Sequence, residues 1–309
     1  MAGMDKGAAW ATAAGLGAIL LWSATVALTR SVSEHFGPLA AGAVIFTCGG
    51  LLMLVIDPVR LRPGKDAPFN LHYLLGCGSL FLLYTLAFYL AIGLAKDRAQ
   101  AIELALLNYL WPSLTILFSL FVLPIRGRWT VFPGLVLAFS GIVLVMGSSG
   151  EARWGDFAGH VSDNPVAYGA AVTAGITWAF YSVLTRRWAP AKGSATSLFM
   201  LLSGLSLGGI SLAQGWHAKP LPVRTGVELA ALVISTALAY ALWDLAMRRG
   251  RITRVAAVSN FTPLLSTLIS CVYLGVSPAP RVWVGSVVIA AGSLVCWLSV
   301  KEEEEGVRG

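Results

Sequence analysis

Long apolar stretches follow one another along almost the whole chain, and the short segments between them hold most of the charge. A hydrocarbon layer of about 30 Å takes about 20 helical residues to cross. Ten stretches approach or exceed that length, near 8–29, 38–56, 71–95, 99–123, 130–148, 165–187, 195–214, 226–247, 253–275 and 280–299. The pattern predicts an all-α membrane protein of ten transmembrane helices. The first stretch is too long, and too similar to a later span, to read as a signal peptide, and no polar mature domain follows it.

The spans repeat. "WSATVALTR" at Trp22–Arg30 has a cousin in "WAFYSVLTR" at Trp178–Arg186, 156 positions later. "TLAFYLAIGLA" at Thr85–Ala95 matches "TALAYALWDLA" at Thr236–Ala246 at an offset of 151, which also carries Tyr89 onto Tyr240, Pro112 onto Pro263, Gly134 onto Gly285 and Gly141 onto Gly292. Five spans therefore form one unit, residues 1–150, and the rest, 151–309, a second. Because five is odd, the second unit enters the membrane from the opposite face, giving two inverted five-helix repeats. Inverted halves offer two nearly equivalent arrangements, one open to each side, around a site near the midplane. That is the logic of a carrier. In both cousins the closing Arg, Arg30 or Arg186, is expected to snorkel to its interface.

Composition agrees with the pattern: 57% of the 309 residues are hydrophobic and 12% charged, with a mean hydropathy of +0.74. The net charge of +7 would suggest nucleic acid if it were clustered, but alternating the loops between two sides places 15 of the 22 Lys and Arg on one side and 7 on the other. By the positive-inside rule the richer side is cytoplasmic, so both termini are cytoplasmic and no nucleic-acid partner is implied. The run "KEEEE" at Lys301–Glu305 reads as a solvated terminus.

Pro112 and Pro263 fall near the middle of spans 4 and 9. A mid-helix proline lacks an N–H and crowds the carbonyl four residues back, so the carbonyls of Asn108 and Ser259 are expected to lose their helical partners. "NYLWP" and "SNFTP" also place Asn108 and Asn260 at membrane depth, where an amide must face protein or a wet hollow. A packing kink with an Asn gluing helices together is the alternative for either span alone. Matching breaks in corresponding spans point instead to a transport site with Pro112 and Pro263 as hinges. At similar depth the candidate solute contacts are Trp22, Tyr84, Tyr89, Tyr109, Trp111, Trp178, Tyr181, Tyr240 and Trp243. Rings near span ends, Trp10, Trp129, Trp154, Trp188 and Trp216, read as an interfacial belt. On this basis Trp111→Ala or Trp178→Ala should lower transport without unfolding the protein.

Glu103 and Asp244 stand out as acids inside spans, where an ionisable group is a proton or cation candidate. Structural pairing competes with that reading, since Arg248 lies four residues after Asp244 and Arg98 five before Glu103. Gly134 with Gly141, and Gly285 with Gly292, give spans 5 and 10 small faces for packing within the molecule or in a dimer, although a monomer is favoured. Cys48, Cys77, Cys271 and Cys296 read as small core residues. "GLSLG" at Gly204–Gly208 has the letters of a hydrolase elbow but sits inside an apolar helix. His35, His72, His160 and His217 lie in loops or at span edges without metal-ligand spacing, and there is no glycine-rich phosphate loop. No enzyme, metal site or cofactor is expected.

With "LLWSATVALTR" in the first span, "NYLWP" in the fourth and G-x6-G in the fifth and tenth, the chain resembles the drug/metabolite transporter superfamily in its EamA-type group. The resemblance implies a multi-pass carrier of the bacterial inner membrane with a central cavity, exporting hydrophobic amino acids and sometimes amphipathic cations. It favours Tyr89, Tyr109, Trp111 and Trp178 as cavity residues. The function expected is therefore export of amino acids, aromatic or otherwise hydrophobic, and similar small amphipathic metabolites, with the small molecule and the lipid bilayer as partners. A multidrug or nucleotide-sugar carrier of the same fold, a channel and a membrane-embedded enzyme are the alternatives.

Overall fold

The computed structural model describes residues 2–56, 69–147, 157–190, 193–217, 220–274, 277 and 280–302. The junction between the expected repeats, Trp154, and the basic residues Arg60, Arg62, Lys65, Arg153, Lys192 and Lys219 lie outside the described residues, as do the side chains of Arg30 and Arg98. In chain order the elements are α1 (Ala2–Phe36), α2 (Pro38–Ile56), a π-helical segment (His72–Cys77) running into α3 (Gly78–Gly93), α4 (Arg98–Asn108), α5 (Trp111–Val122) and β1 (Ile125–Gly127). There follow α6 (Val131–Met146), α7 (Phe157–Asp163), α8 (Pro165–Trp188), α9 (Thr196–Ala213), α10 (Val223–Arg249), α11 (Ile252–Ser259), α12 (Thr262–Leu274), α13 (Pro280–Ser299) and β2 (Val300–Glu302).

Among the described residues eight helices are long and apolar enough to cross a membrane, nine if α11 and α12 are one bent span, and Val131–Val145 is a shorter apolar helix. The chain is a helical membrane protein whose outward surface carries Leu51, Val55, Phe121, Val136 and Val272 in the open, as lipid-facing side chains must be. One small antiparallel ladder departs from the all-α expectation: Ile125 faces Glu302 and Gly127 faces Val300. Lys301 and Glu302 thus begin the acidic tail as a paired strand rather than as a free terminus.

The largest packings, α6 on α13, α1 on α10, α2 on α9, α3 on α8, α5 on α8 and α2 on α10, each join an element before residue 150 to one after it; α4 also packs on α8, and α11 and α12 on α1. Lipid supplies no hydrophobic drive between helices, so close approach over small residues must hold them. Gly204 of α9 does this against α2, where an added Cβ would stand 2.4 Å from the Thr47 nitrogen. The "GLSLG" letters therefore serve helix packing. On α6 and α13, Gly141 meets the Gly285 carbonyl while Gly292 meets that of Gly134, so the two helices run antiparallel within one molecule. The four cysteines are free.

Both prolines open a half-helix instead of kinking a continuous one. α4 ends at Asn108 and α5 starts at Trp111, with Pro112 second. α11 ends at Ser259 and α12 starts at Thr262, with Pro263 second, at a 45° bend. In a first turn the missing N–H has no partner to lose and the fixed φ suits the helix. The Ser259 carbonyl, expected to be orphaned, accepts the Thr262 hydroxyl at 2.7 Å. The Asn108 carbonyl lies against Gly175 of α8, where a Cβ would approach it to 3.2 Å.

Candidate functional site

Helical spacing decides which side chains of each span meet. Trp178 and Tyr181 stand three apart on α8, Tyr240 and Trp243 three apart on α10, and Phe81 and Tyr84 three apart on α3, so each pair shares a face. With Trp22 of α1 and Trp111 of α5 they form one network of rings. Trp22 lies 5.8 Å from Trp178, 5.5 Å from Tyr240 and 5.3 Å from Trp243, centroid to centroid. Trp178 further meets Tyr84 at 4.7 Å, Tyr181 at 5.1 Å and Trp111 at 6.3 Å, and Trp111 meets Trp243 at 5.2 Å. Most pairs are edge-to-face or tilted, as ring quadrupoles prefer. The network is closed: Trp243 is 0% exposed, Tyr181 1% and Trp178 2%.

Seven of the nine aromatic candidates from the sequence are thus brought together. Tyr89 joins them one ring removed, 5.9 Å from Phe46 of α2, which lies 5.5 Å from Tyr240. Tyr109 packs against a cluster of Leu106, Ile142 and Leu264 together with Phe261. Phe46 and Phe81 are the members that sequence reasoning missed; Phe81 touches Trp178, Tyr181 and Tyr240. A search for rings with a polar handle passes over Phe, yet Phe81, Tyr84 and Phe88 follow one helical stripe that would have found it.

Polar groups at this level are sparse. The Trp243 indole N–H donates to Ser182 Oγ at 3.3 Å. Asn108 and Asn260 are both buried, and neither the Asn108 Oδ1 nor either amide atom of Asn260 has a hydrogen-bond partner among the described residues. Amides so placed are costly unless something else meets them. The described residues hold no group of His, Cys, Asp and Glu able to bind a metal. The arrangement can clasp a flat apolar group and offer amides to a polar one; it brings together no nucleophile with a base.

The two intramembrane acids have different surroundings. Glu103 of α4 is fully buried and accepts from the Tyr168 hydroxyl of α8, and His160 Nδ1 of α7 lies 3.1 Å from its Oε1 and 3.2 Å from its Oε2. These partners come from across the chain. Tyr168→Phe, which takes the hydroxyl donor from a buried carboxylate, is expected to cost about 1–3 kcal/mol, read as lowered thermal stability in detergent. Asp244 of α10 accepts from Arg248, as the i,i+4 spacing suggests. Arg186 is half-buried near the end of α8, where its Nη1 donates to the Arg248 and Gly250 carbonyls at 2.9 and 3.0 Å and satisfies the end of α10. Of the belt residues, Trp10 and Trp129 are well exposed, whereas Trp188 packs over Gly76 and Trp216 donates to the Phe36 carbonyl.

The profile of the EamA-like transporter family matches this chain twice, over residues 9–147 and 165–298. The chain belongs to the EamA-like transporter family. Among its EamA-like relatives, the aromatic amino acid exporter YddG of Salmonella typhimurium is 34% identical over 94% of this chain and 98% of its own, and YddG of Escherichia coli K12 is 33% identical over the same shares. The threonine/homoserine exporter RhtA of E. coli K12 is 25% identical over 90% of this chain and 88% of its own. A crystal structure of a 28% identical protein superposes with a TM-score of 0.78 over 94% of this chain and 98% of that one.

Proposed function

We propose that this EamA-like protein is a secondary carrier that moves aromatic or other hydrophobic amino acids out of the cytoplasm by alternating access. Two inverted five-helix repeats, residues 1–150 and 151–309, would supply ten spans with both termini in the cytoplasm of a bacterial cell, in its inner membrane. The observation that carries the reading is the ring network itself: Trp22 and Trp178, the corresponding residues of the two repeats, meet at 5.8 Å. A two-fold axis between the repeats accounts for that contact. It also accounts for the reciprocal glycine contacts of α6 and α13, since an isologous contact pairs each residue with its partner's counterpart. The double match of the family profile supports the same repeat.

Mechanistically, Trp22, Tyr240 and Trp243 stand on the packed pair α1 and α10, and Phe81, Tyr84, Trp178 and Tyr181 on the packed pair α3 and α8. Rocking one pair against the other parts the rings and exposes the buried amides near Pro112 and Pro263, the proposed hinges. A solute's ring then replaces ring-on-ring contacts, and its polar end meets Asn108 and Asn260. The names of the relatives divide between aromatic amino acids and threonine or homoserine, and a wall of tryptophan and tyrosine favours the former.

Liposomes reconstituted with the protein and preloaded with unlabelled amino acid should take up labelled phenylalanine, tyrosine or tryptophan by saturable counterflow, and threonine more slowly. Flux at channel rates, transport of nucleotide sugars alone, or a chemically altered product would overturn the reading.

A further inference from the structure

Asp244 is the neighbour of Trp243 on α10, and its side chain is fully buried. Only one of its oxygens is used. Oδ2 accepts from Arg248 Nε at 2.9 Å and Nη2 at 2.7 Å, and Arg248 Nη1 is held by the Gly193 carbonyl at 2.8 Å. Oδ1 is buried and accepts no hydrogen bond from the described residues. An ion pair whose task was only to fasten α10 would work as well at the surface and would leave no desolvated oxygen bare.

Tyr73 and Cys77 of the π-helical segment and Tyr181 of α8 are the polarisable groups that interact electrostatically with Asp244, and all three are buried with it. Their own polar atoms face elsewhere: the Tyr73 hydroxyl accepts the Ala195 N–H at 3.2 Å, the Tyr181 hydroxyl stands 3.5 Å from Thr196 Oγ1, and Thr185 Oγ1 donates to Cys77 Sγ at 3.8 Å. Single π turns inside helices recur at functional sites, because the extra residue redirects side chains that an α-helix would bury in its own packing. Here that turn carries Tyr73 and Cys77, the two residues of the segment that interact with the acid's charge. Tyr181 links the two levels, since its ring stands 5.1 Å from Trp178 while its hydroxyl lies beside Thr196.

We propose that Asp244 Oδ1 recognises the primary ammonium of the solute, so that Asp244 and the neighbouring rings together read an amino group and an aromatic side chain. Arg248 balances the carboxylate when no solute is present, and the ammonium takes the free oxygen without displacing the guanidinium. The subsite rests on the export reading for its place on the solute's path, and its chemistry is testable separately. It accepts an aromatic amine that lacks a carboxylate and rejects an aromatic acid that lacks the amine.

Binding of phenethylamine and of 3-phenylpropanoate, followed by tryptophan fluorescence of the purified protein, should favour the amine by about tenfold, the scale of one charge-assisted hydrogen bond in a desolvated site. Asp244→Asn should erase that preference, and Asp244→Glu should keep it. A purely structural acid would weaken both ligands alike. Equal binding of the two by the wild-type protein overturns the proposal however the variants fold, and so does a monodisperse Asp244→Asn variant that retains the preference. If phenylalanine counterflow is absent while the Asp244-dependent amine preference is present, the export reading fails and the subsite stands.

Discussion

Trp178→Ala is expected to abolish solute flux and to cost about 3–5 kcal/mol of stability, the usual range for emptying a buried tryptophan site. The sequence alone suggests a loss of transport in a protein that stays folded, but Trp178 is 2% exposed and touches seven other rings, so its removal opens a hole at the centre of the molecule. With net stabilities of about 5–15 kcal/mol, that loss alone accounts for much of any missing flux. Trp178→Phe separates the two effects. It keeps a ring on the same face of α8, so thermal stability in detergent should fall far less than with Ala, while counterflow should change its rank order among phenylalanine, tyrosine and tryptophan. Trp22→Ala is the second discriminator, because Trp22 is half-buried and among the described residues meets three rings, all in the network. Its stability loss should be the smaller and its flux defect comparable. Wild-type flux and rank order in Trp178→Phe and Trp22→Ala together would remove the ring network from the solute's path.

Much of this was legible in the sequence because lipid imposes a strict grammar on the chain. Spans must be long and apolar, so their positions could be read directly, and α2, α8, α9 and α13 fall within a residue or two of the expected limits. The ring network was legible because Trp and Tyr at three-residue spacing can only share a face. What could not be read was where a helix departs from α geometry. The π segment at His72–Cys77 has no side-chain signature, yet it carries Tyr73 and Cys77, both buried beside α8 and interacting electrostatically with Asp244. Long-range partners were equally hidden. Along the chain Arg98 is the partner that spacing suggests for Glu103, whereas Tyr168 and His160, which reach it across more than fifty positions, carry no signal in the sequence. The direction of Tyr109 was hidden for a related reason: depth in the membrane follows from position along a span, while direction at a break depends on how the two half-helices meet, and residues 109 and 110 are the turn itself.

Gly292→Ala should loosen the α6–α13 contact, through which the two proposed repeats meet most closely. A Cβ at Gly292 would stand 2.3 Å from the Ala138 nitrogen and 2.7 Å from the Gly134 carbonyl oxygen, and these are backbone atoms that cannot rotate away. Its reciprocal contact, Gly141 on Gly285, is as tight, with a Cβ 2.6 Å from the Ile289 nitrogen. One added methyl group must therefore push α13 off α6 along their length, and overpacking of this kind costs about 1–3 kcal/mol, with the upper end expected where the backbone itself must move. Gly292→Leu should prevent stable insertion of α13 against α6 altogether. The control is Gly209 of α9, where nothing lies within 4 Å of an added Cβ: Gly209→Ala should leave thermal stability unchanged or raise it by up to about 1 kcal/mol, through the better helix propensity of alanine. If α6 and α13 form the fixed contact about which the ring-bearing pairs rock, Gly292→Ala also lowers counterflow more than its stability loss explains, because the loosened pair no longer transmits one half's movement to the other. Equal thermal stability and flux in Gly292→Ala and Gly209→Ala would mean that the glycine faces neither hold the halves together nor guide their motion.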